Sequence, residues 1–158
     1  MGMFRNMAYV GRNPVKATVL VVDDSLEIQR YLRVLLELDS YQVEAASNGH
    51  EALHRLRHGY APQVVLLDVQ MPGMDGLETL HQLQEFRPQP KVIMCSAVDD
   101  PEKIAEAAAL GAYAYLVKPV QHLYLSAAIE RCLHEGPARP PVERFGGRPF
   151  VLPSPSAL

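Results

Sequence analysis

The stretch Val64–Gly76, VVLLDVQMPGMDG, constrains this chain more than any other. It carries one carboxylate at the end of an apolar run and into a loop dense in turn residues. Val64-Val65-Leu66-Leu67 lacks the polar alternation of a half-exposed strand, so it predicts a strand buried on both faces, as in the centre of a parallel sheet. Pro72-Gly73 and Asp75-Gly76 predict a tight loop followed by a helix, with Asp75 as turn former or cap. Asp68 is thereby placed at the carboxyl end of a core strand, where open α/β sheets hold their chemistry.

The same alternation repeats along the chain. Ala17–Val22 predicts a buried strand ending in Asp23-Asp24, and Ser25 opens a helix whose inward positions are Ile28, Leu32, Leu35 and Leu36. Tyr41–Ala46 predicts a less apolar, edge-like strand, followed by a helix over 49–58 that Gly59 and Pro62 stop. Helices are also predicted from Gly76 to Glu85, after Asp99-Asp100-Pro101, and from Gln121 to His134. Strands are predicted at Lys91–Cys95, leading to Ser96, and at Ala112–Val117, leading to Lys118-Pro119. Five strand–helix pairs joined by short loops predict an α/β fold with one doubly wound parallel sheet.

Three regions follow: a leader over 1–15, a folded domain over 16–135 and a Pro/Gly-rich tail over 136–158. The leader is predicted to be loose, with Met3, Phe4, Met7, Tyr9 and Val10 as an alternative contact for a partner or the domain surface. The tail, with Pro137, Pro140, Pro141, Pro149, Pro153 and Pro155, cannot form a regular helix and is expected to be mobile or laid along a surface. It is too short for an independent output domain.

In a parallel sheet the strand ends share one edge, so Asp23, Asp24, Asp68, Ser96 and Lys118 are expected to surround one site. Carboxylates gathered there repel one another unless a cation or a proton reduces the charge, and an oxygen-rich pocket suits Mg²⁺ with retained waters. The chemistry this points to is phosphoryl transfer to a carboxylate. Asp68 would be the nucleophile and Asp23 and Asp24 the metal carriers. Lys118 would contact phosphate oxygens, and Ser96 would donate a hydrogen bond to one of them.

Val21-Val22-Asp23-Asp24, Leu67–Gly76, Ser96-Ala97 and Tyr115-Leu116-Val117-Lys118-Pro119 occur together in this order. Over roughly Lys16 to Leu133 the chain resembles the receiver domain of bacterial two-component response regulators. The resemblance implies a flavodoxin-like sheet of five strands in the order 2-1-3-4-5 with five helices. It implies Asp68 as phosphoacceptor, and Mg²⁺ held by Asp23, Asp24, Asp68 and the backbone carbonyl of Gln70. Lys118 is then the phosphate-contacting lysine, Ser96 and Tyr115 the switch pair, and the peptide before Pro119 cis. Implied partners are a sensor histidine kinase or histidine phosphotransfer protein and a downstream protein target, with room for a homodimer through the face of the fourth helix, fifth strand and fifth helix.

Tyr113, Leu123 and Tyr124 stand where this family commonly shows polar groups, so with Tyr115 they are expected to form an apolar contact patch, unless the tail folds back over it. Gln70 and Val98 flank the path of hydrolytic water in the family, and Val98 has no polar group to orient it, which predicts an acyl phosphate without very fast self-hydrolysis.

The net charge of −3 gives no basic footprint for nucleic acid. No apolar run has spanning length, and Cys95 and Cys132 suggest core residues and no disulfide framework, so a cytoplasmic protein without membrane insertion is expected. His50, His54 and His58 recur on one helix and read as a solvated or weakly metal-binding face. The expectation is a stand-alone response regulator acting through changed protein contacts, without an independent turnover substrate. The alternatives are an interaction module of receiver fold that does not use phosphorylation, and an aspartyl-phosphate phosphatase.

Overall fold

A computed structural model describes residues 14–97 and 99–134 together with the strand Phe150–Leu152. Its elements are β1 (Thr18–Val22), α1 (Leu26–Leu38), β2 (Gln42–Ala46), α2 (Gly49–Arg57), β3 (Val64–Asp68), α3 (Gly76–Leu83), β4 (Lys91–Ser96), α4 (Pro101–Ala109), β5 (Ala114–Val117), α5 (His122–His134) and β6 (Phe150–Leu152). Residues 1–13 of the leader and the remainder of the tail lie outside the described residues, as does Val98.

The first five strands pair in parallel in the order 2-1-3-4-5, with helices between consecutive strands. This is the expected doubly wound, flavodoxin-like sheet. One strand was not expected: Phe150–Leu152 pairs in parallel with β5 and extends the order to β2-β1-β3-β4-β5-β6.

Every residue of β3 is buried, as its uninterrupted apolar run requires of a strand covered on both faces. Successive side chains point to opposite faces, so β1 sends Val19 and Val21 to one core and Leu20 and Val22 to the other. The first core is closed by Leu32 and Leu36 of α1 with Leu125 and Ile129 of α5. The second is closed by Leu53 of α2, Leu77 and Leu80 of α3, and Ala107 of α4.

Helix starts follow local chemistry. Ser25, Asn48, Asp75 and Asp100 accept hydrogen bonds from backbone N–H groups of the first turns of α1, α2, α3 and α4, and Pro101 stands in the first turn of α4. Each of these turns also carries an acidic residue, Glu27, Glu51, Glu78 and Glu102, placed to favour the positive end of the helix dipole. Both cysteines are buried, and neither is in a disulfide.

The apolar patch expected around Tyr115 does not form as such. Leu123 is 76% exposed, but Tyr113 is 7% and Tyr115 1% exposed, while Tyr124 is half-buried. β5 begins at Ala114, so Tyr113 lies before the strand and escapes its alternation. It turns into the α1/α5 core, with Lys91 Nζ 5.9 Å from the centre of its ring, whereas Tyr115 enters the opposite core.

Candidate functional site

Parallel register aligns the strand ends. Val22 of β1 stands beside Leu67 of β3, Asp68 beside Cys95 of β4, and Ser96 beside Val117 of β5. Asp23 and Asp24 follow β1 and Lys118 follows β5, so the residues singled out from the sequence meet on one edge. Asp23 and Asp68 are 2% and 6% exposed, and Asp24 is exposed.

One carboxylate oxygen from each of Asp23, Asp24 and Asp68 lies within 4.8 Å of the others. Lys118 Nζ lies 2.6 Å from Asp23 Oδ2, donating a hydrogen bond, and 3.5 Å from Asp68 Oδ2. One ammonium therefore neutralises part of a buried acidic cluster, as burial of like charges demands. The peptide that delivers Lys118 to Pro119 is cis, as the resemblance implied, and Lys118 N–H donates to the Ser96 carbonyl at 2.8 Å.

Burial pushes the Asp68 carboxyl above its usual range, against the pull of the Lys118 ammonium; Asp23 pushes it further up, and the Gln70 N–H, 3.2 Å from Asp68 Oδ1, opposes this. Burial works the other way on Lys118, but the hydrogen bond to Asp23 and the nearby negative charges outweigh it and raise its pKa. The Cys95 thiol, wholly enclosed behind the site, is pushed up to about 12 by burial, which keeps it protonated and unreactive.

Ser96 is fully buried, and Tyr115 points inward with its hydroxyl hydrogen-bonded to Ser96. The proposed switch pair is thus in direct contact. Gln70 is exposed on the loop after β3.

Two positions not singled out from the sequence shape this edge. Gln29 of α1 is buried and donates through Nε2 to the Asp23 carbonyl at 2.7 Å and to Ser47 Oγ at 3.2 Å, tying α1 to the loop that carries the acids. Its place on the Leu32/Leu36 side of α1 is a signal the sequence does contain. Gly76 packs its α-carbon against the end of β3: a Cβ there would stand 2.1 Å from the Asp68 carbonyl oxygen and 2.7 Å from Val69 Cα. Gly76 N–H also donates to the Val69 carbonyl at 2.9 Å, closing the loop after Asp68.

The donor set fits a hard divalent cation: three carboxylates on one sheet edge, one of them exposed, in the oxygen-only chemistry Mg²⁺ prefers. Among the described residues no helix is long and apolar enough to cross a membrane.

Residues 19–130 match the model of the response regulator receiver domain. The chain is 44% identical over 116 residues to the positive alginate biosynthesis regulatory protein of Pseudomonas aeruginosa, covering 72% of this chain and 46% of that protein. It is 36% identical over 115 residues to the chemotaxis protein CheY of Halobacterium salinarum, covering 73% of this chain and 95% of that one. Thus the chain spans less than half the length of the first relative and nearly all of the second. Its fold superposes on the CheX-CheY-BeF3-Mg+2 complex of Borrelia burgdorferi with a TM-score of 0.69 at 28% identity, over 74% of this chain and 89% of that one.

Proposed function

Because the chain belongs to the response regulator receiver domain family, we propose that it takes a phosphoryl group from a phosphohistidine onto Asp68 and signals through altered protein contacts. The observation that carries this reading is the buried Asp68 carboxylate, 3.5 Å from the Lys118 ammonium and clustered with Asp23 and Asp24. A sensor histidine kinase or histidine phosphotransfer protein is the donor class.

In the transfer, an Asp68 carboxylate oxygen forms a bond to phosphorus as the phosphorus–nitrogen bond to the donor ring, protonated on its other nitrogen, breaks and gives its electron pair to nitrogen, leaving a neutral imidazole and an acyl phosphate. Lys118 places its ammonium against the incoming oxygens and so offsets charge that grows on them. Asp23, Asp24, Asp68 and the Gln70 carbonyl would hold Mg²⁺, which when bound supplies charge neutralisation for the phosphoryl group. The sequence offers no positioned acid or base for repeated hydrolysis, so the group acts as a signal and the chain needs no turnover substrate of its own.

The readout uses the bond between Ser96 and Tyr115. New acceptor oxygens at Asp68 attract the Ser96 hydroxyl, and Tyr115 then loses or changes its partner. The consequence spreads to the face formed by α4, β5 and α5, where Leu123 is exposed.

The test is incubation of wild type and Asp68→Ala with acetyl phosphate and Mg²⁺, followed by intact mass measurement and amide spectra of β5 and α5. Wild type is expected to gain one labile phosphoryl group and to shift those signals, and the variant to do neither. A phosphorylated wild type with unchanged β5 and α5 signals would refute the readout, and absence of the mass gain would refute the acceptor role.

A further inference from the structure

We infer that the outer edge of β5 is a docking surface for a short extended apolar segment, occupied in cis by Phe150–Leu152 of this chain and open to exchange with a segment of the same kind. The observation is the parallel pairing of Ala114 with Phe150, Tyr115 with Val151 and Leu116 with Leu152. The other side of the same residues is taken by β4, through Ile93, Met94 and Cys95. Without β6, β5 would end the sheet, with the backbone groups facing away from β4 free to bond an incoming strand.

The occupant belongs to the same chain because the connection runs naturally. Parallel strands require the chain to return from the end of β5 to the sheet end where β6 begins. α5 lies between β5 and β6 in the chain and makes that return.

Exchange follows from how short the backbone pairing is. β6 has three residues in register, against five in the β3–β4 pair. The sequence places Pro149 and Pro153 immediately outside it, and a residue lacking an N–H cannot extend a ladder. The same prolines make β6 a poor template for a further strand, so it ends the sheet while it is seated and leaves a usable edge when displaced.

The partner chemistry is thereby set: an extended peptide with consecutive apolar, strand-favouring residues, lying parallel to β5. Such a ligand would sit one strand away from Met94 and directly beside the backbone of Tyr115, the residue whose hydroxyl reaches Ser96. A protein docking there would contact the sheet next to the site without touching the acids.

Amide hydrogen exchange of the full chain tests this. Val151→Pro removes an N–H from the centre of β6. It is expected to speed exchange of the β5 amides that face away from β4 by roughly tenfold, leaving β1 and β3 unchanged. The synthetic peptide Arg-Pro-Phe-Val-Leu-Pro-Ser, residues 148–154, added to the variant should restore that protection. The same peptide with proline in place of its valine should not. Equal β5 exchange in wild type and variant would overturn the cis occupant, and failure of the peptide to restore protection would overturn exchange in trans. Protection in wild type that falls on dilution, together with a dimer in light scattering, would instead assign the edge to a second copy and overturn the proposal.

Discussion

Lys118→Met tests the electrostatic design of the site most directly. The substitution keeps a long, unbranched side chain but removes the ammonium that sits 2.6 Å from one buried carboxylate and 3.5 Å from another. Deleting one partner of a buried ion pair costs about 3–5 kcal/mol, because the charge left behind remains buried. Here the cost is reduced, since Asp68 already has a raised pKa and can take up a proton, and Lys118 keeps partial access to water. A loss of about 2–3 kcal/mol at pH 7.5 is expected, read as a drop of about 1–2 M in the urea midpoint.

The pH dependence has a definite sign. Lys118 has a raised folded pKa, so its contribution is complete below its unfolded value and is lost as pH rises through the folded one, in the alkaline range. Asp68 also has a raised folded pKa. Its ionisation therefore costs stability as pH rises from the unfolded value through the folded one, and the penalty is absent below the unfolded value. Removing Lys118 takes away the largest influence that lowers the Asp68 pKa, so the penalty grows in the variant. The gap between wild type and variant should narrow as pH falls toward 4, and millimolar Mg²⁺ at pH 7.5 should stabilise the variant more than wild type. A variant with the wild-type urea midpoint at pH 7.5, or a gap that stays constant down to pH 4.5, would refute the reasoning.

Gly76→Ala should cost about 1–3 kcal/mol in urea unfolding, because its Cβ meets backbone atoms of Asp68 and Val69, which cannot swing aside as a side chain could. It should also slow phosphorylation by acetyl phosphate at saturating Mg²⁺, and wild-type values for both would show that the loop after β3 has slack. Gln29→Ala should cost about 1–3 kcal/mol by leaving the buried Asp23 carbonyl without its side-chain donor, checked by thermal unfolding. Asp68→Asn should be more stable than wild type in metal-free buffer at pH 7.5, since it removes a buried carboxyl whose ionisation is disfavoured, and differential scanning calorimetry showing the reverse would contradict the assignment of its pKa direction.

The acidic cluster was legible because of a topological fact. Parallel strands deliver their carboxyl ends to one edge, so Asp23, Asp68, Ser96 and Lys118, far apart in sequence, had to meet once five strands were read. Caps were legible for a local reason: Ser25, Asp75 and Asp100 act on N–H groups within three residues. Gly76 was read only as turn chemistry, since close approach to the Asp68 backbone depends on how α3 leaves the loop. Tyr113 was read as surface because the family commonly shows polar groups at its position, whereas it lies just before β5 and packs in the α1/α5 core. β6 was hidden by its neighbours: prolines around Phe150–Leu152 argue against a strand, and only the edge that β5 offers makes three residues sufficient.

The acceptor role proposed for Asp68 places two opposing requirements on it, and the neighbouring charges bear on both. A nucleophilic carboxylate must be ionised, yet the burial that shields an acyl phosphate from water favours the protonated form. Lys118 opposes that tendency from 3.5 Å, but it spends its shorter contact on Asp23, so it neutralises the cluster only in part. A divalent cation on Asp23 and Asp24 would release Lys118 from that duty, and the ammonium would then be free to meet phosphoryl oxygens. On this argument Asp23 is the group that holds Lys118 back before transfer, and the dependence of phosphorylation on Mg²⁺ should weaken in Asp23→Asn, where Lys118 has lost its competing partner. Phosphorylation rates measured against Mg²⁺ concentration in that variant would separate a cation that frees Lys118 from one needed only to hold the phosphoryl group, because the second leaves the rate at zero metal unchanged.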